Sequence, residues 1–139
     1  MKLKLLLLGL VILIISCKKE STTSAAVNQM VDTTIAKLFN TGNFVNGPYG
    51  AVSGVAKIYK VNNRYQLALE NFNSSNGPDL KVYLSKDNIP SNFINLGSLQ
   101  STTGNQLYDI PAGVTPSEYA YVLIHCQQFN HLFGSAILK

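Results

Sequence analysis

The sequence predicts an all-β protein: a single β-sandwich of about seven to eight short antiparallel strands, preceded by a short N-terminal helix. Three observations carry this. From Gly47-Pro48 onward, short runs rich in β-branched and aromatic residues alternate with clusters of Asn, Gly, Ser and Pro. Two of these runs, residues 51–61 and 64–72, flank Asn62-Asn63, and asparagine tolerates the positive φ that a tight hairpin turn needs. In the second run Tyr65, Leu67 and Leu69 alternate with Gln66, Ala68 and Glu70, giving one buried and one wetter face.

The remaining elements follow in order. Val27, Met30, Val31, Ile35 and Leu38 fall at offsets 0, 3, 4, 8 and 11, one face of a helix over residues 25–39, with Ser24 as N-cap and Asn40 and Gly42 ending it. Met30 on that stripe reads as a packing residue, not a metal ligand. Residues 73–79 form a loop, 80–85 a third clear strand and 86–95 a connection; 96–99 make a short strand. Residues 106–110 make another, stopped by Pro111, which cannot donate to a ladder. After a loop over 112–118 come two apolar strands, 119–126 and 131–138, joined by 127–130.

A chain of 139 residues suits one domain. The net charge of +4 is concentrated at the start, where Lys2, Lys4, Lys18 and Lys19 supply four of the eleven basic residues. From Ser21 onward the chain is close to neutral, so nucleic-acid binding loses its electrostatic support. The charged fraction of 13% fits an exported protein.

Residues 5–15 are an apolar run broken only by Gly9. As a helix they would rise about 16 Å, short of the roughly 30 Å hydrocarbon core. They read as the core of a signal peptide over residues 1–16. Ile14-Ile15-Ser16-Cys17 resembles a bacterial lipobox, which implies that Cys17 becomes an acylated N-terminus held in the lipid bilayer. Residues 17–41 then comprise the lipidated N-terminus, a small polar linker and the helix, and residues 42–139 the folded domain. The expected location is extracytoplasmic, membrane-anchored at a bacterial envelope, at the outer membrane or cell surface if Lys18-Lys19-Glu20 acts as the export tag it resembles. A plain solvated linker is the other reading of those three residues.

Across the domain several short motifs fall in a familiar order: Ser53-Gly54, Asn71-Phe72, Asn76-Gly77-Pro78-Asp79-Leu80, Val82-Tyr83-Leu84-Ser85 and Leu96-Gly97. Gly104, Gln106, Tyr108, Ile110 and Pro111 follow, then Val122, Ile124, Cys126, Phe129, Phe133-Gly134, Ala136 and Leu138. Together these resemble the DM-thirteen domain, an electron-transfer module named from animal surface proteins of the Skeletor type. The resemblance covers about Gly42 to Leu138. It implies an electron-transfer role for the cysteine matched by Cys126, as a bare thiol or as a ligand to a group such as haem. Two positions depart from the family pattern. His125 stands where an aromatic, typically tryptophan, is usual, and Tyr49-Gly50 where a histidine often precedes the glycine matched by Gly54.

Cys126 is the one cysteine beyond the lipobox. It follows Ala120, Val122 and Ile124 in period two, which turns it toward the core and leaves two readings open: a redox thiol, or a buried and inert side chain. His125 points to the opposite face, and His131 can return toward either residue depending on register. The three are the candidate cofactor-binding residues. No metal site is expected, because a blue-copper set and the Cys-x-x-Cys-His of covalent haem are both missing, and no hydrolytic constellation stands out. Asp79 reads as turn chemistry, Tyr83 and Tyr108 as packing anchors. The expected partner is a redox or envelope protein; the alternative is a non-catalytic module that binds a protein or glycan.

Overall fold

The computed structural model describes residues 21–139. Its strands are β1 (Val27–Asn28), β2 (Ala36–Asn46), β3 (Val52–Val61), β4 (Arg64–Ser74), β5 (Leu80–Ser85), β6 (Phe93–Ser98), β7 (Thr103–Ile110), β8 (Tyr121–Cys126) and β9 (His131–Ile137). A single 3-10 turn, Pro116–Glu118, precedes β8. Among the described residues no helix is long and apolar enough to cross a membrane.

The strands form one sheet in the order β1-β7-β4-β3-β2-β9-β8-β5-β6. Every neighbouring pair is antiparallel except β1 with β7. The expected sandwich of two separate sheets is replaced by a single curled sheet, because β2 belongs to both halves. Its first part pairs with β3 from Ala36↔Val61 to Asn43↔Val55, and its last three residues pair with β9 from Phe44↔Ala136 to Asn46↔Gly134. The sheet bends at this shared strand into an open half-barrel whose edges are β1 and β6.

The predicted N-terminal helix is absent; residues 25–46 supply β1 and β2 instead. Asp32 accepts hydrogen bonds from the backbone N–H of Thr34 (3.0 Å) and from its hydroxyl (2.6 Å), a local turn that competes with helical pairing. The β-branched Val31, Thr33, Thr34 and Ile35 add a preference for extended backbone. The apolar stripe is not buried either: Met30 is 74% exposed, so it packs on no core.

Inner-face residues of the two halves meet to form the core. Ile58, Leu67, Leu69 and Phe72 come from β3 and β4; Val82, Leu84, Val122 and Ile124 come from β5 and β8. Each such side chain contributes about 1.5–3 kcal/mol through burial. Phe44 and Phe72 meet edge to face, with centroids 5.5 Å apart and planes at 74°. Their contact closes the seam beside the shared strand.

The β6–β7 connection is held by a buried polar network. Gln106 donates to the carbonyl of Ser101 (2.7 Å) and accepts from the Tyr108 hydroxyl (2.8 Å), which itself accepts from the backbone N–H of Gln100 (3.0 Å). Burial raises the pKa of the Tyr108 phenol well above its ordinary range, so it stays a neutral donor. Tyr108 thus serves as the packing anchor its sequence context implied.

Candidate functional site

β8 and β9 form a hairpin through the turn at residues 127–130, and Cys126 is the last residue of β8. It lies between Leu80 of β5 and His131 of β9, its register partners on either side. It belongs to the apolar core and is 1% exposed, and it is a free thiol. Directly paired residues of an antiparallel ladder project to one face with Cβ atoms about 4.5–5.5 Å apart, so His131 shares the face of Cys126. The structure brings these two sequence-predicted residues together.

His131 is half-buried and its ring is fixed by stacking. Tyr49 lies parallel to it, centroids 3.7 Å apart with planes at 2°, and Phe129 flanks it at 6.0 Å. Tyr49 is held in turn by its backbone N–H, which donates to the carbonyl of Leu132 (3.2 Å). Two glycines make room for the neighbouring Phe133 ring. A Cβ on Gly50 would lie 2.5 Å from Phe133 Cδ2, and one on Gly77 would lie 3.0 Å from Phe133 Cζ and 2.8 Å from Leu80 Cδ2. The Asn76-Gly77-Pro78-Asp79 stretch therefore packs the Cys126 end of the core. Asp79 ties it down further: its carbonyl accepts from the N–H of Gln127 (3.0 Å), and its carboxylate pairs with Lys81 (2.9 Å).

His125 does point to the other face, as period two requires, yet that face is covered. The residue is 3% exposed. Tyr83 lies against the ring at 5.4 Å, and Phe93 stacks on Tyr83 at 4.2 Å. Nε2 is 3.0 Å from the Asn130 side-chain oxygen in the turn, while Nδ1 is buried with no hydrogen-bond partner. With the Asn130 oxygen as acceptor, Nε2 carries the proton and Nδ1 keeps a bare lone pair. Burial holds the His125 pKa below its ordinary 6.5; the bond to Asn130 pulls it back up and the nearby charge of His131 lowers it again. Burial also raises the Tyr83 phenol, and negative charge on Asp79 and on Cys126 adds to that shift.

Chemically, a thiol and an imidazole are the residue types from which thiolate chemistry is built, and here the ladder pairs them across neighbouring strands. Among the described residues no group of three or more His, Cys, Asp or Glu side chains is placed to hold a metal ion. Haem, which the sequence resemblance raised as a group held by the cysteine, does not fit: a sulfur 1% exposed within the core leaves no face for a macrocycle. A cleft of about 200 Å³ lined by Gln29, Met30, Tyr59, Ala68, Glu70 and Asn105 lies elsewhere and does not involve Cys126.

The profile of the family described as electron transfer DM13 matches residues 43–138, the whole of the body from the end of β2 to β9. The chain belongs to the electron transfer DM13 family. No curated protein and no solved structure matches it. Within the DM13 domain the quoted motif residues now have positions: Gly54 sits at a bulge in β3, Gly77 beneath Phe133, and Gly134 against Val52. Tyr49, at one of the two positions where the sequence departs from the resemblance, is the residue stacked on His131. Sequence reasoning did not find that stack, the Phe133 packing, or the tie from His125 to Asn130. Cys17 and the leader lie outside the described residues.

Proposed function

We propose that this DM13 protein is a lipid-anchored, extracytoplasmic electron-transfer domain whose redox group is the Cys126 thiol, with His131 as its proton acceptor. The family supports the electron-transfer class. The observation that carries the assignment to a residue is the cross-strand pairing of the free cysteine of the DM13 domain with a stacked, half-buried histidine. In the step itself the sulfur gives one electron to a one-electron carrier protein docked at the rim, and its proton passes to the imidazole of His131; return of both restores the thiol. The enclosed sulfur favours electron exchange over disulfide exchange, because a partner thiol would need direct contact with it.

The experiment uses the full-length chain carrying Cys17→Ser, so that Cys126 is the sole thiol. A reversible oxidation wave is expected, lost in Cys126→Ala and shifted in its pH dependence in His131→Phe. A colourless protein that exchanges no electrons, with a thiol that reacts only after unfolding, overturns the assignment. Burial of the thiol favours a second reading, a non-catalytic envelope module with Cys126 as core filler. Full biological activity in a folded Cys126→Ala protein would select it.

Anchoring rests on the lipobox-like Ile14-Ile15-Ser16-Cys17 after an apolar run. Intact mass of the native protein from its membrane fraction should show loss of residues 1–16 and added diacylglycerol and acyl mass on Cys17. A retained leader or a free Cys17 thiol would rule the anchor out.

A further inference from the structure

We infer that His125 is an acid-sensitive latch: its neutral ring holds closed the β8–β9 turn that directly follows Cys126, and a proton on Nδ1 opens that turn and loosens the end of the ladder where the thiol sits. The functional consequence rests on the redox reading of Cys126, but the opening itself does not.

The ring is an anomaly of construction. A buried lone pair without a donor is costly, and the protein tolerates it at a ring that is 3% exposed. The neutral form nevertheless suits the site, since Nε2–H is used on Asn130 and the bare Nδ1 carries no charge. The protonated form does not. It would bury an N–H donor with no acceptor and a positive charge with no counter-ion.

The groups around it offer little relief. On β5 the register partner of His125 is Lys81, a second cation, whose charge is matched by Asp79. Tyr83, also on β5, presents a ring whose phenol stays neutral; its π face gives only partial compensation. On β9 stands His131, whose charge lowers the His125 pKa. Cys126, the next residue, points to the other face. β6 contributes Phe93, which reaches the cluster through Tyr83 and carries no charge.

An imidazolium there reaches water most readily by displacing the turn. Residues 127–130 are short, exposed for the most part, and held by few bonds: Asn130 to His125, Asn130 N–H to the Gln127 carbonyl at 3.4 Å, and Gln127 N–H to Asp79. Asn130 already sits at φ 52°. Displacing this turn also pulls His131 from its place opposite Cys126. The sign follows from linkage: the closed form binds the His125 proton less well than the open form, so closure is complete above the ordinary 6.5 and weakens as pH falls below it toward the depressed value.

The test measures modification of Cys126 in the full-length Cys17→Ser chain in mild detergent, with 4,4′-dithiodipyridine, which remains reactive in acid. Rates at about pH 7.5 and about pH 5 are divided by those of the same chain unfolded in guanidinium at each pH. The normalised rate should rise about tenfold in acid, as a shift of one pH unit in the linkage window allows. His125→Phe, which fills the site but cannot titrate, should stay protected at both pH values, whereas His131→Phe should still respond. Asn130→Ala should raise the rate already near neutrality. A pH-independent rate in the Cys17→Ser chain, or an equal rise in His125→Phe, overturns the latch. Should His125→Phe fail to fold, amide exchange of residues 125–131 in the Cys17→Ser chain decides: faster exchange at pH 5 after correction for intrinsic rates supports opening, and unchanged protection refutes it. Gated exposure without electron exchange would keep the latch and remove the redox assignment; electron exchange without gating would do the reverse.

Discussion

Replacing Phe72 by Ala should lower the unfolding free energy by about 3–5 kcal/mol, a large part of the roughly 5–15 kcal/mol typical of a domain. The ring is 1% exposed and packs edge to face on Phe44, where β4 meets the last part of β2. Its loss removes burial, leaves a cavity, and strips a contact from the seam beside the shared strand. The surroundings have little room to collapse, since Gly54, whose ideal Cβ would lie 2.9 Å from Phe72 Cα, already crowds the backbone there. Urea unfolding followed by tyrosine fluorescence gives the number. A cost below about 1 kcal/mol would mean that the inner seam does not hold the curl.

Gly54→Ala is the second large effect, and its size separates two causes. Gly54 has φ +112°, which side chains rarely adopt, and a Cβ there would fall 2.8 Å from the carbonyl oxygens of both Glu70 and Asn71. Those oxygens belong to the paired strand β4 and cannot rotate away. Conformational strain and crowding together should cost about 3 kcal/mol or more. Gly97 provides the comparison: its φ is +119°, but nothing lies within 4 Å of where its Cβ would stand. Gly97→Ala should therefore cost only the strain, about 1 kcal/mol. Equal losses at the two sites would show that backbone conformation alone, without crowding, explains the glycine at the bulge.

The hairpin signals in the sequence translated directly into structure where chain pairing is local. Asn62 takes the left-handed conformation (φ 55°) between β3 and β4, β5 spans the expected residues 80–85, and β7 stops before Pro111. The strand β2 was hidden for a physical reason. Lys37, Leu38 and Phe39 are all exposed and the strand changes partners midway, so no single period of burial runs along it. At the candidate site, alternation along β8 was enough to turn Cys126 inward and His125 outward. It could not show that the outward face is covered by Tyr83 and Phe93, because those residues arrive from other strands. Nor could it reveal the Tyr49–His131 stack, which joins segments distant in the chain and depends on the register of β9 against the end of β2.

That arrangement of β2 also sets an order of assembly. Residues 36–43 can pair with β3 as soon as the neighbouring hairpin exists, but Phe44–Asn46 must wait for residues 134–136. β9 is inserted between β2 and β8, so the two halves of the sheet become one only when it docks. Such a topology has high contact order and folds slowly, since the entropy of closing a long loop is lost before its contacts form. Until then Phe44 and the core residues of β8 and β9, Val122, Phe133 and Ala136, cannot share the interior they form in the folded chain. In a chain synthesised from its N-terminus, β9 is the last strand to become available, and unpaired strand edges of that kind are where aggregation and proteolysis begin.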